Sequence, residues 1–355
     1  MRWDNLTATG GPDGDDPGQA RAATPLPLAL PGAVVRTFDT PEFAGITFYE
    51  VHAKSLLNRV PGASRVPFEW TVNPYRGCSH ACVYCFARST HTYLDLDAGQ
   101  DFDSRVVVKV NAGELLRHEL ASPRWGGHHI AMGTNVDCYQ RAEGRYRLMP
   151  EIIAALRDRA NPFSILTKGT LIARDLDLLR QAAQVTTVAV AFSIGFLDPA
   201  LWRTVEPGTP APLRRLDVVR QFADAGFAVG VLMAPILPGL TDTDDAIEAT
   251  VQAIATAGAA TVSPLALHLR PGAREWYLGW LAREHPGLVP RYRELYRRGA
   301  YLDQGYQREL TARVRLAARR YGLPTGAADS RRRAVGTRGS VAPTKPTSTE
   351  QLTLL

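Results

Sequence analysis

Between residues 68 and 267, short apolar runs alternate with longer stretches in which apolar positions recur every three or four residues. The short runs are Phe68–Val72, His129–Gly133, Phe163–Thr167, Thr187–Ser193, Ala228–Ala234 and Thr261–Leu267. They are rich in Val, Ile, Phe and Thr, and several are apolar throughout, as strands buried on both faces are. Arg105–Val110 reads as an additional short edge strand. The longer stretches read as amphipathic helices. In Leu213–Ala225, Leu213, Leu216, Val219 and Phe222 share one stripe, and Gly226 supplies a stop. In Asp244–Ala257 the stripe is Ile247, Val251 and Ile254, with Thr243 as N-cap and Gly258 as stop. Leu148–Arg159 and Ala173–Ala183 follow the same pattern. Alternating strand and helix predicts parallel βα units. Six such units predict an α/β fold, an incomplete (β/α)6 TIM-like barrel with its chemistry at the C-terminal strand ends. An open doubly wound sheet is the second choice.

The pattern fades at both ends. Residues 1–30 are rich in Gly, Pro, Asp and Ala without periodicity, and residues 325–350 contain no aromatic residue and no leucine. Both read as flexible extensions. The expected division is an N-terminal extension over 1–62, disordered in part, a barrel over 63–270, a helical segment over 271–324 and a disordered tail over 325–355.

Composition narrows the class. A chain of 355 residues, 45% hydrophobic and 21% charged, is long and apolar enough for a sizeable globular core. Four cysteines exclude a disulfide-stapled secreted scaffold. No uncharged apolar run reaches the roughly 18 residues of a membrane span. Asp4, Asp13, Asp15 and Asp16 stand where a signal peptide would be basic and then apolar. A cytoplasmic location and no membrane partner are therefore expected. The net charge of +6 permits an acidic partner such as nucleic acid. Only four of the 41 basic residues are lysines, namely Lys54, Lys109, Lys168 and Lys345, so each lysine is the more informative.

The strongest chemical signal is Asn73-Pro-Tyr-Arg-Gly-Cys78-Ser-His-Ala-Cys82-Val-Tyr-Cys85-Phe-Ala-Arg88. Three cysteines fall within eight residues, spaced C-x3-C-x2-C, on a loop after the first strand. An odd number of thiols in a reducing compartment argues against a disulfide. Structural zinc usually takes four ligands, and His80 could be the fourth. An iron–sulfur cluster also usually takes four, and a loop offering three leaves one metal position open.

C-x3-C-x-aromatic-C after the first strand of a βα barrel resembles the radical S-adenosylmethionine (SAM) superfamily. The stretch from about 68 to 270 is similar to the group related to spore photoproduct lyase, in a bacterial branch marked by NPYRGCSHACVYC, GTNVDCYQ, ILTKG, AFSIG and APILPGLTD. The resemblance implies a [4Fe–4S] cluster on Cys78, Cys82 and Cys85, with the open iron chelated by SAM. It places Tyr84 near the adenine. It places the polar segment Thr134 and Asn135 against the SAM amino group, although the acidic residue usual among relatives is missing there. Lys168 would pair with the SAM carboxylate, and Ser193 would bond its ribose or carboxylate. Reductive cleavage would give methionine and a 5′-deoxyadenosyl radical, with a flavodoxin- or ferredoxin-like protein as electron donor.

Three functions follow. The first is a radical SAM enzyme acting on DNA, as in lyase-like repair of a base lesion. The second is radical SAM modification of a protein, tRNA or small molecule. The third is a non-catalytic metal-binding protein. Spore photoproduct lyase returns a hydrogen atom from a cysteine thiol. Cys138 is the one thiol here outside the motif, and it is a weak catalytic candidate because it lies a few residues beyond the matching position. Tyr139 is a similarly weak radical relay. Trp276, Tyr277 and Trp280, with the arginines of Arg291–Arg298, suit packing beneath the barrel first and stacking on nucleic-acid bases second.

The chain closes with Gln351-Leu352-Thr353-Leu354-Leu355, an apolar cluster on a polar tether. It resembles the bacterial sliding-clamp-binding motif, in which a glutamine and two leucine-like side chains fill a pocket. The tail peptide is expected to bind purified clamp at micromolar strength, about −8 kcal/mol, and Leu354→Ala with Leu355→Ala should remove binding. Fluorescence anisotropy reads this directly, and no binding well above that range would remove the clamp as a partner.

Overall fold

The computed structural model describes residues 6–7, 30, 32–61 and 66–326. Twelve strands are found among them. In chain order they are β1 (Leu6–Thr7), β2 (Val34–Thr37), β3 (Thr47–Ala53), β4 (Leu57–Arg59), β5 (Trp70–Val72) and β6 (Tyr75–Arg76). β7 (Arg105–Lys109), β8 (Ile130–Met132), β9 (Phe163–Thr167), β10 (Val188–Ser193), β11 (Gly230–Ile236) and β12 (Thr261–Ala266) follow.

Strands β5, β8, β9, β10, β11 and β12 lie side by side in chain order, all parallel. The register places Val72 beside Met132 and Met132 beside Ile165. Ala191 lies beside Gly230, and Gly230 beside Thr261. β4 pairs antiparallel with β5 at one edge, and β12 forms the other, so the sheet does not close. This is the incomplete TIM-like barrel that six βα units predict.

The helices obey the same logic. Pro212–Asp224 buries Leu216, Val219 and Phe222, but leaves Leu213 exposed. Asp244–Thr256 is capped by the Thr243 hydroxyl, which accepts from the Ala246 N–H, and buries Ile247, Val251 and Ile254. Leu148–Asp158 and Leu176–Val185 cover β8 to β10, the latter entered through a 3-10 turn at Thr170–Asp175. Gln304–Arg320 packs on Asp244–Thr256 and on β12. No described helix is long and apolar enough to cross a membrane.

Two expectations change. Arg105–Lys109 is not a barrel edge. It lies inside a second sheet, parallel to β3 and antiparallel to β6. Its core residues Val106, Val107 and Val108 are buried on both faces, which an edge strand would not allow. Residues 34–59, placed in the N-terminal extension, also form strands. β3 buries Phe48 toward the barrel core and Tyr49 toward a smaller apolar cluster with Leu94 and Leu96. The extensions expected over 1–30 and 325–355 lie largely outside the described residues, and Gln351–Leu355 lies wholly outside them.

Trp276, Tyr277 and Trp280 lie on the helix Ala273–Glu284, beside the barrel. Tyr277 and Trp280 are buried, and the Tyr277 hydroxyl meets that of Tyr292 at 3.0 Å. The Trp276 ring lies under the Arg88 guanidinium, 4.9 Å from ring centre to guanidinium carbon. The segment packs, as the first reading had it.

Gly133, at the end of β8, adopts φ +75°, and a Cβ there would lie 1.8 Å from the carbonyl oxygen of Leu166 in β9. Both the backbone and the neighbouring strand therefore demand glycine. Gly133→Ala should destabilise the fold by about 3 kcal/mol or more, read as a lower urea midpoint at unchanged slope.

Candidate functional site

The cysteine loop leaves β5 through Asn73-Pro74 and is fastened by side chains from elsewhere. Gln140 spans its first turn: its carbonyl accepts from the Ser79 N–H at 2.9 Å, and its amide donates to the Gly77 carbonyl at 2.9 Å. Arg88, fully buried, donates through Nε and Nη2 to the Cys82 carbonyl at 3.2 and 2.9 Å and pairs with Asp103 at 2.8 Å. Gly77 has φ +79°, and a Cβ would come within 2.6 Å of the Arg105 carbonyl.

The segment after β10 clamps the other side. The Val83 N–H donates to the Val205 carbonyl, and the Gly208 N–H to the His80 carbonyl, both at 3.0 Å. A Cβ on Gly208 would lie 2.0 Å from the Ser79 carbonyl. Between these contacts stands Glu206, 1% exposed. It receives the Tyr84 hydroxyl on one oxygen and the Arg215 guanidinium on the other. Lys168 Nζ lies 3.6 Å from it and also donates to the Ser193 hydroxyl, which in turn donates to the Ala234 carbonyl at 2.9 Å.

One cavity collects these groups. Cys78, Cys82 and Cys85 border it with Tyr84, Asn135, Lys168 and Ser193, all proposed from sequence. Leu166, Leu232, Pro235, Leu265 and Leu267 line its apolar part. Thr134 is not among its lining residues. Nor are Cys138, which is buried, and Tyr139, whose hydroxyl donates to Asp175 at 3.0 Å. The structure thus brings together seven of the ten candidates read from sequence, the three thiols, Tyr84, Asn135, Lys168 and Ser193, and leaves Thr134, Cys138 and Tyr139 outside the cavity lining.

His80, which a zinc reading would need as fourth ligand, turns to Asp137, with Nδ1 3.4 Å from Oδ2. Asp137 also accepts from the Thr167 hydroxyl at 2.6 Å and the Lys168 N–H at 2.7 Å. Among the described residues, no three His, Cys, Asp or Glu side chains converge on one point as a single ion requires. Three thiols around one cavity instead suit a cluster ligated at separate irons, so the donor set fits an iron–sulfur group better than zinc.

The electrostatics are those of buried charge. Burial would raise the Glu206 carboxyl, but Arg215 and Lys168, aided by the Tyr84 hydroxyl, hold it down at about 2. Burial would raise Asp137 likewise, and His80 with the Lys168 and Thr167 hydrogen bonds holds it at about 2. Burial pushes all three motif thiols up, while Lys168 and Arg215 draw Cys82 down and Arg88 draws Cys85 down. Metal ligation therefore has to release protons here.

Residues 72–253 match the family model of the radical SAM superfamily. The chain belongs to the radical SAM superfamily. An uncharacterized protein of Mycobacterium tuberculosis is 52% identical over 312 residues, covering 86% of this chain and 92% of its own length. One of Methanocaldococcus jannaschii is 28% identical over 201 residues, covering 56% and 71%. Among solved structures, spore photoproduct lyase complexed with dinucleoside spore photoproduct superposes with a TM-score of 0.58 at 15% identity, covering 78% of this chain and 81% of that one. A mutant lyase with bound AdoMet and the same dinucleoside gives 0.57 at 16%, covering 76% and 78%. The radical SAM fold shared with spore photoproduct lyase is the partial barrel described above.

Glu206, Arg215, Asp137, Gln140 and Arg88 were not singled out from sequence. Arg88 and Gln140 sit inside quoted motifs, where their place in the string was a signal. Asp137 likewise lies in GTNVDCYQ, two residues past the position examined for an acidic group. Glu206 and Arg215 lie in a loop and helix with no chemical spacing.

Both depressed carboxyls tie stability to pH. Below the ordinary carboxyl range near 4, the unfolded chain binds protons that folded Glu206 and Asp137 refuse until about pH 2. Their contribution is complete above that range and is lost as pH falls toward 2. Urea unfolding of the metal-free protein between pH 5 and pH 3 should show stability falling with pH, and Glu206→Gln should flatten the slope. An unchanged slope would contradict this ionisation.

Proposed function

We propose that Cys78, Cys82 and Cys85 hold a [4Fe–4S] cluster whose open iron takes SAM, and that the protein is a radical SAM enzyme acting on DNA with a base lesion. The observation that carries the reading is the meeting of the three motif thiols with Lys168 and Ser193 in one cavity. When bound on Cys78, Cys82 and Cys85, the cluster would supply the electron for reductive cleavage of SAM, the source of hydrogen-abstracting power toward a substrate carbon.

The chain's own residues bind and orient. Arg215 matches the Glu206 carboxylate, and Lys168 Nζ, 3.6 Å from it, sets an ammonium at the mouth of β9. That charge suits the SAM carboxylate, and the Ser193 hydroxyl beside it supplies a further polar contact. Tyr84 is fixed by Glu206 with its ring 5.8 Å from Lys168 Nζ, so its position is set before any ligand arrives. Leu232, Leu265 and Leu267 keep water from the space where a radical would react. Cys138 takes no part in this reading, because its thiol lies outside the cavity. The likeness in fold to a lyase solved with a dinucleoside photoproduct supports a DNA substrate over a protein, tRNA or small molecule.

Cys78→Ala, Cys82→Ala and Cys85→Ala should each abolish iron and sulfide uptake on anaerobic reconstitution, while Cys138→Ala takes up the full complement. Lys168→Ala should keep the cluster and weaken SAM binding about ten- to a hundredfold, the loss of a charge-assisted hydrogen bond. Full iron in any motif variant, or unchanged SAM affinity in Lys168→Ala, would overturn the respective assignment. Release of 5′-deoxyadenosine should rise on adding lesion-bearing DNA, and indifference to DNA would turn the reading toward another substrate.

A further inference from the structure

A second cleft of about 600 Å³ opens on the other side of the cysteine loop. Phe38 and Phe43 from the strand-rich N-terminal segment form one wall, and Tyr139, Arg141 and Arg145 from the loop and helix after β8 form the other. His80 is the residue common to the linings of this cleft and the thiol cavity. That imidazole is two residues from Cys78 and two from Cys82. Its place is fixed by Asp137 at 3.4 Å and by the Gly208 N–H on its carbonyl.

We propose that this cleft is where an acidic one-electron carrier protein docks and that the electron enters past His80. The inference rests on the proposed function, since it requires a cluster on the three cysteines. Under that reading SAM and substrate fill the thiol cavity, and opening it to a reductant in each turnover would admit water and oxidant to a radical. A second cleft against the same loop, with its own mouth, removes that conflict.

The lining suits such a partner. Two exposed guanidiniums stand against one exposed carboxylate, Glu42. Arg141 is held in place through Nε on the Gly208 carbonyl at 3.2 Å, and Arg145 lies over the Phe38 ring at 4.2 Å. The cations would meet the acidic rim of a carrier, and the half-buried Phe38 ring beside Arg145 would give its apolar edge a place to rest. In the transfer itself, a reduced flavin anion loses one electron and becomes its neutral radical. The cluster held by Cys78, Cys82 and Cys85 falls in charge from 2+ to 1+, and no bond forms or breaks.

The test uses the reconstituted full chain, photoreduced flavodoxin as the carrier and dithionite as a small reductant. Cluster bleaching is followed by absorbance, and flavodoxin binding by anisotropy at low salt. Arg141→Glu with Arg145→Glu should weaken binding and slow bleaching by flavodoxin about tenfold, an effect that about 0.5 M salt removes. Bleaching by dithionite should not change. Arg315→Glu with Arg319→Glu, on the exposed side of Gln304–Arg320, changes net charge equally and should have little effect on either. Equal loss in both double variants, or no loss with flavodoxin in the first, would overturn the docking site. A wild-type protein that dithionite cannot bleach would instead overturn the cluster on which it rests.

Discussion

A carboxylate buried without water has to be matched by charge, and Glu206 is the place where this fold meets that requirement. Transfer of an unpaired carboxylate into the interior costs several kcal/mol even after relaxation. Arg215, 1% exposed, answers it from the helix after β10, and Lys168 and Tyr84 answer it from β9 and from the cysteine loop. Three chain segments distant in sequence are thereby held to one atom group. Truncating Glu206 would leave Arg215 buried beside Thr209 and the Ser193 carbonyl with its charge unmatched, so the constraint runs in both directions.

The cysteine loop is consequently tied down by protein groups from several segments. Gln140 spans Gly77 and Ser79 at its first turn, Arg88 holds the Cys82 carbonyl, and Gly208 allows the clamp segment to press against Ser79. In small zinc domains metal binding and folding are one event. Here the backbone around the thiols is satisfied by protein groups, and the cost that remains is removing protons from thiols whose burial disfavours the thiolate. Lys168, Arg215 and Arg88 offset part of that cost at Cys82 and Cys85. The same cations that match Glu206 therefore also favour ligation.

What could be read from the sequence follows from this arrangement. Barrel strands carry their own signal, because burial on both faces forces apolar runs, and all six were placed to within two residues at nearly every end. Lys168 and Ser193 were legible because strand ends point to one mouth. Glu206 was not, because its partners lie 122 and 9 residues away and neither spacing belongs to an element period. β7 was misplaced because a strand inside a second sheet has the same apolar run as a strand beside the first. Cys138 was a weak catalytic candidate by residue type, with a packed loop residue as the first reading, and its thiol lies in the apolar core with Tyr75, Tyr139 and Val136.

The cavity is polar at one pole and apolar at the other, and that division follows from the strand order. The polar contacts come from the ends of β9 and β10, where Lys168 and Ser193 meet Glu206 from the following loop. The apolar ones come mainly from β11 and β12, where Leu232 and Leu265 face inward with Pro235 and Leu267 beyond them, joined by Leu166 of β9. A ligand with an anionic head and an uncharged flat body would fit better in one direction there, since reversing it would desolvate the head against leucines and forgo its contact with Lys168. The three thiols lie at the polar pole, beside Tyr84 and Lys168. The division of the cavity is thus set by the strands that supply each pole, with the cysteines at the polar end and the leucines opposite.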